Sequence, residues 1–248
     1  MVWKCLTTGL KLMGSKKKIF AFIFARGGSK RIKNKNLKKI KGKTLIERKI
    51  IFAKKTKLFD KIFLSSDSKK ILYFGKKNNI NLITRPKKLS QDQSEEIKAW
   101  SHAIKQAYQI SKFDTMVVLP CTSPFTTKKD VTRCIQTLRI DNADLVTTIS
   151  EAERNPYFNM VKKNKKNLIK ILIDKKNFKT RDKLPKVYNL ANSVYVTKPN
   201  YVLKNSFIYK GKVKGVVVPA ERFLDIDSKA DLKVAKALIN KIWLKIIF

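Results

Sequence analysis

The 248-residue chain carries 57 lysines and arginines against 18 acidic residues, a formal net charge of +39, while 43% of it is hydrophobic and 10% aromatic. That apolar content excludes a disordered chain and, at this length, provides a full core. Charge alone does not make a nucleic-acid binder, because only nine of the basic residues are arginine and the lysines are spread over the whole chain. The excess of Lys, Ile, Asn and Phe reads as a compositional bias, and the charge as a matter of solubility and steering.

Cys5, Cys121 and Cys134 are odd in number and contain no CxxC pair, so neither a zinc site nor a disulfide framework is expected. A reducing, cytoplasmic setting fits that usage. No apolar run reaches the roughly 18 residues needed to span a bilayer, so no membrane insertion is expected. Residues 1–16 read as an N-terminal extension with no convincing signal-peptide core, and Met13 stands as a candidate natural start.

From there strand and helix patterns alternate. The β-branched and aromatic run 18–25 predicts a buried strand, 44–57 a helix, 61–67 a strand, 68–79 a short helix and 81–86 a strand stopped by Pro86. A helix follows over 94–110, opened by Ser94 with acids in its first turn. Strand 115–120, helix 128–139 and strand 144–150 complete the series. Repeated units of this length predict a three-layer α/β/α fold around a mostly parallel sheet.

The rhythm breaks after residue 150. Residues 157–173 alternate around a polar turn and predict a β-hairpin, 174–187 is polar and irregular, and 188–197 and 211–220 return to strand. Ser228 with Asp231 three residues later predicts the capped start of a last amphipathic helix. Residues 151–187 are accordingly read as an insertion into one domain spanning 17–248.

In parallel sheets ligands sit beyond the carboxyl ends of the strands, which is where "ARGGSK", "SSD", "RP" and "PCTSP" all fall. A strand followed by Gly27, Gly28 and cations offers unhindered amides and positive charge to a polyphosphate, although a plain glycine turn with solvated lysines fits as well. "KGKT" (41–44) imitates the end of a Walker A motif, but Leu37 stands where its first glycine belongs, so a turn entering the helix is expected. Asp225 and Asp227 alternate on one face of an extended segment, a pairing suited to Mg²⁺ shared with substrate phosphates; Asp227 and Ser228 introducing the last helix is the plainer alternative, but it leaves Asp225 unexplained. The lone His102 lies mid-helix with nothing to pair with, so a packed or solvated histidine is expected ahead of a catalytic base.

Taken in order, "FARGGSKRIKNKN", "SSDS", "RPKKLSQD", "TSPF" and "DIDSKADL" resemble the acylneuraminate cytidylyltransferases over about residues 18–240. The resemblance implies a nucleotide-diphospho-sugar transferase fold, with the 151–187 insertion serving as a small β-rich dimerisation element of a homodimer. It implies transfer from CTP to a nonulosonic acid, giving the CMP-sugar and pyrophosphate with Mg²⁺. By position, Arg26, Gly27, Gly28, Ser29, Lys30 and Lys35 match the triphosphate loop, Asn36 a nucleotide contact, and Arg85 the arginine at the cytidine end. Asp225 and Asp227 match the metal pair.

This chain departs from the family pattern at Arg31-Ile32-Lys33 (commonly Gly-Ile-Pro), Pro120-Cys121 (Gln-Pro), Glu95-Glu96 (Ser-Ser) and Ala191-Asn192 (Asn-Gly). Transfer to another sugar or sugar phosphate, KDO-type or GTP-using, is the alternative, and a nucleic-acid-binding protein a more distant one.

Overall fold

The computed structural model describes residues 17–91, 95–173 and 184–247, with side chains in the last helix described through Ile239. The expected extension 1–16, the Ser94 cap and most of the irregular 174–187 stretch lie outside the described residues.

β1 (Ile19–Phe24) is the spine of the sheet. Its side chains alternate, so Phe20 and Phe22 enter one face while Ala21 and Ile23 enter the other, and all four are fully buried. Parallel partners flank it, β4 (Lys61–Ser66) on one side and β6 (Thr115–Val118) on the other. With β5 (Asn81–Thr84), β7 (Leu145–Glu151), β10 (Tyr188–Thr197) and β11 (Val213–Val217), the order is β11-β7-β10-β6-β1-β4-β5. Only β10 runs antiparallel to its neighbours.

One face carries α1 (Leu45–Thr56), α2 (Lys69–Lys77), α4 (Lys128–Ile140) and α6 (Lys229–Ile247) over an aliphatic core that includes Ile23, Ile46, Leu64 and Val131. The opposite face is aromatic and is covered by α3 (Glu96–Tyr108) and the short α5 (Pro199–Lys204). There Phe22 stacks on Phe63 at 5.1 Å and Phe20 on Phe113 at 4.6 Å, beside the fully buried Trp100. Each such ring contributes about 1.5–3 kcal/mol by leaving water.

The helices start where their caps dictate. Thr44 and Glu47 form a reciprocal capping box on α1, Thr127 and Asp130 do so on α4, and Ser228 with Asp231 exchange the same bonds at the start of α6. "KGKT" is the turn of a two-residue ladder, β2 (Lys39–Ile40) with β3 (Lys43–Thr44), in which Lys41 and Gly42 both take positive φ. The expected hairpin is present as β8 (Val161–Lys163) paired with β9 (Ile169–Ile171), a separate sheet from the main one. β2, β3 and α5 were not expected from the sequence, and each is too short to show a period.

Candidate active site

Because β1, β4, β5 and β6 are parallel, their carboxyl ends deliver four loops to one edge of the sheet. The chain leaves β1 at Phe24 and turns at once. The Gly27 N–H donates to Asp67 Oδ1 at 2.9 Å, fastening the turn to the loop after β4. A Cβ on Gly27 would stand 2.9 Å from Ser68 Cβ, so only glycine permits this approach, whereas Gly28 faces open space. The expectation that both glycine amides face phosphate is therefore corrected: Asp67 already takes the Gly27 amide.

Asn34 adopts a left-handed conformation (φ 55°) and leads into a single 3₁₀ turn, Lys35–Leu37. That turn buries Asn36, whose Nδ2 donates to the Arg26 carbonyl at 3.0 Å and closes residues 26–36 into a ring. Asn36 thus fixes the loop as well as lining the cleft. Arg26, Ser29, Lys30, Arg31 and Lys35 surround a cavity of about 470 Å³ whose far wall is Asp227. Lys35 Nζ lies 2.6 Å from Asp227 Oδ1, and Arg31 contacts Asp227 Oδ2 at 3.5 Å. The first loop and the twin acids, 192 residues apart at Lys35 and Asp227, meet.

A second cavity of about 360 Å³ shares Arg26, Ser29 and Lys35 and extends past Asn36 and Arg85 to Trp100 and Thr122. The Arg85 N–H donates to the Ser66 carbonyl at 2.9 Å, continuing the β5 ladder by one residue. Burial pushes the guanidinium below the ordinary arginine value, with Asp67 opposing. Across the cleft, burial raises the carboxyl of Glu96, one of the two departures at 95–96 that line this cavity.

Asp225 sits deeper than Asp227. Burial raises its carboxyl above the usual range, a hydrogen bond with the Thr122 side chain opposes this, and the neighbouring Asp227 charge adds to the rise. Its Oδ1 is buried with no hydrogen-bond partner. Of the residues expected at the site, Arg26, Ser29, Lys30, Lys35, Asn36, Arg85 and Asp227 line these two cavities, whereas Gly27, Gly28 and Asp225 line neither. His102 lines neither cavity, and burial, Arg85 and Lys105 all lower its pKa.

Two contributors were given no role from the sequence. Asp67 ends the "SSD" cluster expected at the sheet edge, but its bond to the Gly27 amide was not foreseen. Lys49 projects from α1 into the protein, donating to the Ser123 carbonyl at 2.8 Å and to Thr126 Oγ1 at 2.9 Å. Its signal was available, since it stands among Leu45, Ile46, Ile50 and Ala53 at helical spacing, where an apolar residue belongs.

The family model described as Cytidylyltransferase matches residues 20–238. Post-translational flagellin modification protein B of Campylobacter coli is 33% identical over 227 residues, covering 90% of this chain and 95% of that protein. CMP-N,N'-diacetyllegionaminic acid synthase of Campylobacter jejuni is also 33% identical, over 226 residues, with coverage of 90% and 95%. Among solved structures, CMP:2-keto-3-deoxy-manno-octonic acid synthetase complexed with CTP superposes with a TM-score of 0.66 at 16% identity, covering 91% of this chain and 99% of that one, a likeness of fold. The chain belongs to the cytidylyltransferase family.

Proposed function

We propose that this enzyme activates a nonulosonic, sialic-type acid with CTP, giving the CMP-sugar and pyrophosphate for surface glycan synthesis. The observation that carries the reading is the contact of Lys35 with Asp227 beside a five-cation wall of Arg26, Lys30, Arg31, Lys35 and Arg85. A triphosphate needs that charge, and relatives named for flagellin modification and CMP-legionaminic acid synthesis support the acceptor class.

Mg²⁺ is the expected cofactor, and the residues fit it. Asp225 presents a buried, unpartnered oxygen, and Asp227 is near enough to raise its pKa. An ion of this kind takes one or two carboxylates plus substrate phosphates. Asp225 and Asp227 would hold the ion, which when bound polarises the α-phosphate.

The chain's own part is to position and neutralise. The Lys35–Asp227 pair is partly exposed, its Asp227 end open to solvent, and is worth on the order of 1 kcal/mol, so Lys35 is released to the triphosphate at little cost. Arg26 and Lys30 offset the remaining phosphate charge, the Gly28 amide approaches it, and Arg85 holds the cytidine end. The anomeric oxygen attacks the α-phosphorus in line; the new O–P bond forms as the bridge to the β-phosphate breaks, its electron pair leaving on pyrophosphate. The hydroxyl proton passes to water in the cleft.

The free, buried Cys121 and Cys134 support a cytoplasmic setting, and among the described residues no helix is long and apolar enough to cross a membrane. The exposed apolar hairpin supports a homodimer. Pyrophosphate release measured with each of the four NTPs against sialic, legionaminic, pseudaminic and KDO-type acids tests the reading. Release is expected with CTP and a nonulosonic acid; turnover confined to a KDO-type acid, or to GTP with a sugar phosphate, would reject it.

A further inference from the structure

Lys49 is 3% exposed, and no acidic side chain lies within ion-pair distance of it among the described residues. Burying an ammonium costs several kcal/mol, and an apolar side chain of similar volume is often neutral or stabilising in such a place. Stability therefore does not explain a lysine here.

Its hydrogen bonds point elsewhere. The Thr126 hydroxyl accepts from Lys49 and in turn donates to the Ser123 carbonyl at 3.0 Å, the same carbonyl that Lys49 reaches directly. The three groups form a closed ring that locks the turn 123–126. Ser123 Oγ reaches out of that turn to the Asn192 carbonyl at 3.1 Å, in the irregular stretch where the β10–β7 register shifts. The residue just before the ring, Thr122, accepts the Ile226 N–H at 2.9 Å on its carbonyl and hydrogen-bonds the Asp225 carboxylate with its side chain. One clamp thus holds both the segment that lines the cleft and the acid beside it.

We propose that Lys49 is a positioning residue for transfer: its ammonium locks the Ser123–Thr126 turn, which holds Thr122 against Asp225 and so fixes where that carboxylate is presented to a divalent cation. The inference rests on Asp225 acting as proposed above. Outer-layer contacts to metal-holding groups are worth about 10–100-fold in affinity or activity.

The test measures Mn²⁺ affinity by electron paramagnetic resonance without substrate, beside kcat and KM for CTP, in the full chain. Lys49→Met is expected to keep wild-type circular dichroism, to lose at least about tenfold in both Mn²⁺ affinity and kcat, and to shift KM for CTP by less than about threefold. Thr126→Val, which removes the acceptor without touching α1, should lose both in the same direction, and Thr126→Ser should restore them. Wild-type Mn²⁺ affinity and kcat in folded Lys49→Met or in Thr126→Val, with Asp225→Asn inactive, would overturn the clamp alone. An Asp225→Asn variant that turns over and binds Mn²⁺ normally would instead overturn the reading of the acid itself.

Discussion

At the scale of single residues, the site is held together by contacts that leave few substitutions silent. Asp225→Asn keeps the volume and the Thr122 contact but removes the charge, so turnover should fall by about two orders of magnitude. Pyrophosphate release near the wild-type rate would remove Asp225 from the chemistry. Gly27→Ala puts a methyl 2.9 Å from Ser68 Cβ, and neither atom can swing aside. The turn must then shift and strain its bond to Asp67, at about 1–3 kcal/mol. Removing the obstacle with Ser68→Gly should restore both melting temperature and CTP affinity; a double variant no better than Gly27→Ala would show that the strain lies elsewhere.

Lys49 adds a pH dependence of a defined sign. Desolvation is the main cause that lowers its pKa to about 8 from the ordinary 10.5, with Cys121, Asp225 and Asp130 opposing. Between those values the unfolded chain holds a proton that the folded chain has released, so this group makes stability rise with pH across that window. The melting-temperature advantage of Lys49→Met over wild type should accordingly shrink between pH 7 and about 10. A gap independent of pH would mean that Lys49 does not titrate there.

At the scale of elements, the β8–β9 hairpin leaves apolar side chains that packing among the described residues does not cover. Leu168 and Ile169 are 62% and 64% exposed, and Phe158, Met160 and Val161 beside them are also exposed. Exposed apolar side chains of this kind are what the proposed homodimer would bury. Leu168→Asp with Ile169→Asp should convert a dimer to a monomer in light scattering behind size exclusion, with unchanged circular dichroism. A wild-type chain that elutes as a monomer would dispose of the dimer. This hairpin was legible in the sequence because its alternation is clean and a polar turn interrupts it. The βα units were legible for a related reason: α3 buries one face at helical spacing, and β1, buried on both faces, stands out as an unbroken apolar run ended by a glycine turn. What escaped has no period. β2 and β3 pair two residues each, α5 spans six, and the Gly27–Asp67 bond joins segments 40 residues apart. The pairing of Lys35 with Asp227 escaped for the same reason. The family resemblance implied that both belong to one site, but only three dimensions show that the loop cation and the tail carboxylate neutralise each other.

At the scale of the whole molecule, the parallel strands gather the loop cations at one sheet edge of a chain whose formal net charge is +39. Arg26, Lys30, Arg31, Lys35 and Arg85 line the joined cavities, where the acids at hand are Asp227, Glu95 and Glu96. A nucleoside triphosphate approaches as a polyanion, so the field acts first on encounter and only locally on the chemistry. Salt screens the two differently. The Debye length falls from about 30 Å at 0.01 M to about 8 Å at 0.15 M, which removes long-range steering and leaves contacts within the cleft largely intact. The kcat/KM for CTP should therefore drop about tenfold over that range while kcat stays within about twofold, since steering raises on-rates by factors of about 10–10³. Nonspecific nucleic acid should compete at the low end and cease to compete at the high end, because its affinity is carried by counterion release. A kcat that falls in step with kcat/KM would place the salt-sensitive charges inside the transition state instead. A flat profile would reduce the scattered lysines to a device for solubility.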